Sequence, residues 1–238
     1  MRTSLRIGAA AVAATVATAG AIAPATAAES QGPKNIIYMI GDGMGYGHVA
    51  FNNLYETGQS KYLVDGAFSA EGPEELDGES VQRFEDFNRL SMTTYPNNSS
   101  YDPQKAWATH EYVDKGYTDS SAAGTAMSTG VKTDNGKLGV NDYGHEQENT
   151  SERAKKAGKS AGVVSSVPFS HATPASWAAH NISRNNYLEI ADEMFNSDLD
   201  VIMGAGHPFY DDDNKKKDEA KYKYLSEEVY NKLSSGES

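Results

Sequence analysis

The chain reads as short apolar runs that end in glycine-rich turns, with helical stretches between them. KNIIYMI, residues 34–40, has the near-continuous apolar character of a strand buried on both faces, and it runs into the turn GDGMGYG. Residues 46–57 place Tyr46, Val49, Ala50, Leu54 and Tyr55 on one side of a helix. LSMTTY, residues 90–95, is a second strand candidate, and NNSSYDP, residues 97–103, a loop. TDSSAAGTAMSTG, residues 118–130, predicts a helix of very small residues ending near Gly130. A charged surface helix over 148–158 precedes KSAGVVSSV, residues 159–167, a β-branched strand. A loop leads to a helix starting at Pro174, then a second helix over 187–195, then a strand and turn in LDVIMGAG, residues 199–206. The tail from Asp211 is highly charged, with an amphipathic helix over 219–233, and residues 58–83, rich in Gly, Glu and Ser, form an excursion. Strands alternate with helices and no repeat is visible, so the predicted fold class is α/β with a largely parallel central sheet.

At the N-terminus the pattern changes. Arg2 and Arg6 precede an uncharged Ala/Val-rich stretch from Ile7, and Pro24 with Ala25-Thr26-Ala27-Ala28 supplies the small residues of a cleavage site. Residues 1–28 read as a secretory signal peptide, too poor in Leu, Ile and Phe for stable membrane insertion. The expected destination is secreted or periplasmic, and the expected domain is 29–238.

Charge narrows the function classes. The 238 residues hold 21 basic and 33 acidic side chains, a net charge of −12. Without Arg2 and Arg6, 19 basic residues face the same 33 acidic ones, about −14. A dedicated nucleic-acid binder needs a basic face, so that class is excluded. An enzyme of anionic phosphate esters would need bound cations and a well-placed arginine to overcome the repulsion. There are no cysteines, so disulfides and thiolate chemistry are out, and any metal site must be built from carboxylate, imidazole and hydroxyl groups.

Asp42 lies just past the first predicted strand, between two glycines, where ligands of open α/β sheets bind. It is placed to hold a divalent cation, although Gly-Asp-Gly is also an ordinary turn. Ser120 follows Asp119 at the mouth of the small-residue helix, whose first N–H groups form an anion site. Either residue also suits a plain N-cap. In SHATPASWAAHNISR, residues 170–184, Thr173 suits the N-cap and Pro174 the first turn of a helix. The Thr173 hydroxyl is a hard oxygen donor for Mg²⁺, with His171 nearby as a water-mediated contact. Arg184, about three turns further along if that helix ran straight, offers a bidentate grip on phosphate, or a cation at a helix end. Gly45-Tyr46-Gly47-His48-Val49-Ala50 also fits a loose dinucleotide pattern, but its first glycine falls five residues after the strand and it leaves Ser120 unexplained.

Taken together, NIIYMIGDGMG (35–45), YTDSSAAGTAMSTGVKTDNGKLGV (117–140), HATPASWAAHNISR (171–184) and DVIMGAG (200–206) resemble the alkaline phosphatase family, in family order. The resemblance implies a three-layer sandwich, here incomplete, and a phosphomonoesterase with two Zn²⁺ and one Mg²⁺. Ser120 matches the nucleophile that becomes phosphoserine, with Asp119 just before it. Asp42 matches the aspartate bridging a zinc and the magnesium, Thr173 a magnesium ligand, and Arg184 the phosphate-binding arginine. His171 stands where family members carry aspartate or histidine. Small phosphate monoesters are the implied substrates, and a homodimer is open. The family's remaining ligands come from its C-terminal half. His48, His110, His145, His180 and His207, expected on the first helix, in two loops, on the helix before Arg184 and after a glycine turn, do not replace them. The chain is therefore expected to be the N-terminal portion of a longer protein, with too few zinc ligands to work alone. A related phosphodiesterase or sulfatase, and a non-catalytic phosphate- or cation-binding remnant, are the alternatives.

Overall fold

The computed structural model describes residues 34–59, 81–88, 90, 92–99 and 102–236. The expected signal peptide, 1–28, and most of the 58–83 excursion lie outside them. Among the described residues no helix is long and apolar enough to cross a membrane.

The chain divides after Ile40 into two units. In the first, residues 35–40 are irregular and open to solvent: Ile37 and Met39 are 86% and 87% exposed. This corrects the expected buried strand. Apolar character does not make a strand without a ladder of backbone hydrogen bonds to a neighbour, and the sheet of the described residues holds two strands from elsewhere. The described part of 90–95 is likewise irregular.

The second unit, Gly41–Ser238, carries every regular element of the described residues. These are α1 (Tyr46–Thr57), a 3₁₀ turn (Arg83–Asp86), α2 (Pro103–Ala108), α3 (His110–Gly116), α4 (Ser120–Thr129), α5 (Thr150–Lys156), β1 (Gly162–Pro168), α6 (Ala172–Ala175), α7 (Tyr187–Phe195), β2 (Val201–Ala205) and α8 (Glu227–Ser235). The α/β class and the parallel sheet hold: β1 pairs with β2 in parallel, with Val163 opposite Ile202 and Val164 opposite Met203. Val163 faces a core built with Leu138, Phe169, Ala175, Ile190 and Met194. On the opposite face Val164 is 70% and Met203 61% exposed, so the pair is covered on one side by the described residues.

Helices α1 and α7 match their sequence-predicted bounds through their apolar periodicity, and α1 stops at Gly58, which takes the left-handed conformation. Asp102, Asp119, Asn149 and Ser226 each accept a backbone N–H at a helix start, from Lys105, Ala122, Glu152 and Val229. The Ser226 cap, with Glu227 and Glu228 in the first turn, explains why α8 begins at 227 and not at 219. Helices α2 and α3 were not expected, and His110 opens α3 instead of lying in a loop.

Small residues let α4 touch α6. A Cβ on Gly124 would overlap the Ser176 hydroxyl and sit 2.9 Å from its Cβ, and Ser128 Oγ donates to the Ser176 carbonyl at 2.6 Å. Gly124→Ala is expected to overpack this contact and cost about 1–3 kcal/mol, read as a lower midpoint in urea unfolding.

The segment after α6 departs most from expectation. His171, not Thr173, is the N-cap, and the helix ends at Ala175 instead of running on toward Arg184. Ser176 Oγ turns back to the Thr173 carbonyl at 3.0 Å, and the chain beyond pairs with residues 136–139. Leu138 and Asn181 exchange both backbone bonds, at 2.9 and 2.7 Å, and Arg184 N–H donates to the Gly136 carbonyl at 2.8 Å. Gly139 makes this pairing fit, since its φ is +64° and any Cβ would run into the Ala179 carbonyl.

His180 therefore lies off any helix. Its Nδ1 meets the Gly139 carbonyl and its Nε2 meets Glu152 Oε1, both at 2.8 Å, while its backbone N–H donates to Glu193 at 2.6 Å. Burial opposes the charged ring, but the bonds to Glu152 and Gly139 and the charges of Glu152 and Glu146 outweigh it and lift the His180 pKa above the ordinary histidine value. The stabilisation is complete below the ordinary value and fades as pH rises through the lifted one. Thermal midpoints of the wild type are expected to fall with pH from about 6.5 upward, and His180→Gln to flatten that slope. An equal slope in both proteins would contradict this.

Candidate active site

Three of the side chains expected from sequence, those of Asp42, Ser120 and Thr173, meet in the second unit. Asp42, in the turn before α1, accepts from Ser120 Oγ at 3.2 Å and from Thr173 Oγ1 at 3.0 Å, both through Oδ2. Ser120 is the first residue of α4, and Thr173 lies in α6, a few residues past the end of β1. Three distant parts of the sequence thus converge on one carboxylate oxygen beyond the carboxyl end of a parallel strand.

Asp119 organises the flank. Its Oδ1 caps α4 through Ala122 N–H at 2.8 Å, and its Oδ2 accepts from Ser121 Oγ at 2.7 Å, Gly136 N–H at 2.9 Å and Arg184 Nη1 at 3.2 Å. The Asp119 and Arg184 side chains are 11% and 27% exposed, sheltered enough to hold one geometry. The cap of α4 is therefore Asp119, which leaves Ser120 without a capping duty.

His171 sits beside Thr173 and touches Asp42 through no hydrogen bond. Its ring stacks on Tyr187 with centroids 5.1 Å apart and meets the edge of Tyr224 at 5.2 Å. Nε2 is buried with no hydrogen-bond partner. Burial, then the positive charges of Arg184 and Lys223, lower its pKa and keep the imidazole neutral, the form that binds metals.

Hydropathy patterning gave no sign of Tyr187, Tyr224 or Asn135. Tyr187 follows Arg184 by one turn of chain, and Tyr224 comes from the charged tail, tied in where Ser170 Oγ donates to its carbonyl at 3.1 Å. The Asn-Gly pair at 135–136 is a turn signal that marks where the chain reverses, not what it holds.

The donor set suits a hard cation: one carboxylate and two hydroxyls gathered within hydrogen-bond reach, with an unpartnered imidazole nitrogen nearby. Among the described residues no group of three His, Asp or Glu forms a closed metal site. Fold and site together define the class, an α/β protein whose hydroxyl, carboxylate and guanidinium groups are brought together past the end of a parallel strand.

Comparison with known proteins narrows that class. The profile of the alkaline phosphatase family matches residues 33–226. Alkaline phosphatase 3 of Bacillus subtilis (strain 168) is 35% identical over 185 residues, 75% of this chain and 34% of that protein. Alkaline phosphatase of Escherichia coli (strain K12) is 33% identical over 192 residues, 73% of this chain and 35% of its own length. The crystal structure of a cold-active alkaline phosphatase from a psychrophilic Shewanella species superposes with a TM-score of 0.55 at 29% identity, covering 83% of this chain and 39% of that one. The chain belongs to the alkaline phosphatase family, and it spans about a third of the length of these relatives.

Proposed function

We propose that this chain carries the nucleophile of a metal-dependent phosphomonoesterase that acts through a phosphoserine at Ser120. The observation that supports it most is the meeting of Asp42, Ser120 and Thr173 on one carboxylate oxygen, with Arg184 held on the residue before the nucleophile.

Asp42, Thr173 and Ser120 are the residues that would hold a divalent cation, with His171 beside them. Such cations, two Zn²⁺ and one Mg²⁺ in this reading, would ease deprotonation of the hydroxyl and neutralise phosphate charge. Ser120 donates a hydrogen bond to Asp42, its oxygen bonds to phosphorus as the ester P–O bond breaks, and its proton passes through solvent to the departing alkoxide, giving phosphoserine and the free alcohol. Arg184 and the N–H groups opening α4 receive the phosphoryl oxygens. Water then releases inorganic phosphate. Small phosphate monoesters are the substrate class, and export by residues 1–28 and a homodimeric assembly belong to the same reading.

The test is an acid-quenched incubation of the complete protein with an aryl phosphate monoester, Zn²⁺ and Mg²⁺, followed by mass spectrometry. One phosphoryl group on the Ser120 peptide is expected, from the monoester and not from a diester or a sulfate ester. Phosphate on another residue, or equal labelling from a diester, overturns the reading. Binding of phosphate with no covalent label would instead select a non-catalytic phosphate- or cation-binding remnant.

A further inference from the structure

Two groups must keep their places relative to each other if phosphate is to bridge them: the start of α4, which carries Ser120, and the Arg184 guanidinium. They are 64 residues apart and belong to no common element. The link between them is the turn at Asn135 and Gly136. Asn135 Nδ2 donates to the Tyr117 carbonyl at 2.8 Å, and Asn135 Oδ1 accepts from Asp119 N–H at 3.0 Å. One side chain thus ties down the backbone on both sides of Thr118, two residues before the nucleophile. The next residue, Gly136, reaches in both directions. Its N–H donates to Asp119 Oδ2 at 2.9 Å, and its carbonyl accepts from Arg184 N–H at 2.8 Å. The turn is itself anchored by the Lys137–Asp134 ion pair at 2.9 Å and by Lys137 Nζ on the Asp142 carbonyl at 2.6 Å.

We propose that Asn135 is a positioning residue for the phosphate site, holding the nucleophile's helix start and Arg184 in register through the 135–136 turn. This rests on the phosphatase reading for its ligand. Asn135 touches neither Ser120 nor Arg184 by a hydrogen bond, so it acts through Asp119 and Gly136. The residue type is demanded by chemistry: one acceptor and one donor are needed on a short arm, and asparagine has both. Aspartate keeps the acceptor, loses the donor to Tyr117 and sets a second negative charge near Asp119. Leucine keeps the volume and loses both bonds.

Two measurements on the full chain test this. Amide hydrogen exchange is read in wild type, Asn135→Leu and Asn135→Asp. Exchange at residues 118–123 and 184–186 is expected to speed up about tenfold or more, with β1 and α7 unchanged. If Asn135→Leu fails to fold, Asn135→Asp carries the measurement. Acceleration spread over the whole unit, or none at these residues, overturns the proposal. Inorganic phosphate is then titrated into wild type, Asn135→Asp, Arg184→Ala and the double variant. Asn135→Asp is expected to weaken phosphate about tenfold when Arg184 is present and by less than about twofold when it is alanine, the non-additivity of two residues acting through one network. Fully additive losses overturn it. A wild-type chain that binds no phosphate sinks the phosphatase reading, while the exchange experiment still decides the role of Asn135.

Discussion

Ser120→Ala is expected to abolish the acid-stable phosphoenzyme while leaving the fold intact. Removing a serine nucleophile costs on the order of 10³- to 10⁶-fold in turnover where a covalent intermediate is obligatory. The structural cost at this position is small. Ser120 opens α4 but does not cap it, since Asp119 satisfies Ala122 N–H. What the substitution deletes is one hydroxyl whose bond goes to Asp42. The unfolding midpoint should therefore stay within about 0.5 kcal/mol of wild type, the range of substitutions that disturb no cap or core. Asp119→Ala is the contrasting control. It takes away the cap, the acceptor for Gly136 and the partner of Arg184 together, and should lower stability as well as phosphate affinity. A Ser120→Ala protein that still accumulates phosphoserine would contradict the assignment.

Arg184→Ala is expected to weaken inorganic phosphate binding about 10- to 100-fold, the value of one or two charge-assisted hydrogen bonds, and to slow the chemical step less. The guanidinium has five N–H donors in a rigid fork, and the structure assigns one nitrogen to Asp119. The rest of the fork is available to an anion held at the start of α4. Asp119 keeps Ser121, Ala122 and Gly136 as donors after the substitution, so the protein should stay folded and the loss should read as affinity. Lysine at 184 should restore charge but not the fork, and recover only part of the binding. An unchanged inhibition constant for phosphate would remove Arg184 from the site. The net negative charge of the chain would repel a phosphate ligand, which adds to the loss expected on removing a positive charge at 184.

The three side chains that meet on Asp42 were legible because each sits in a local motif: a carboxylate between glycines, a hydroxyl at the mouth of a small-residue helix, a threonine beside a proline. Elements with strong local signals were legible for the same reason. Helix α7 has its apolar period, α4 has its Asp119 cap, and β1 and β2 have their β-branched runs. Where a local signal needed a distant partner, the sequence misled. Residues 35–40 are as apolar as a buried strand but stay irregular without a neighbouring ladder. A helix starting at Pro174 was expected to run on toward Arg184, yet the backbone of 136–139 captures the second half of that stretch.

By itself, the order of amino acids determined which groups could do chemistry here and which local elements would present them, because caps, periodicity and side-chain donors act over a few residues. Only the tertiary structure decided that Asp42 joins Ser120 and Thr173, that His180 binds Glu152 instead of lying on a helix, and that an Asn-Gly turn connects Asp119 to Arg184. Those are hydrogen bonds between residues tens of positions apart, and their geometry exists once the chain has closed the loops that bring them together.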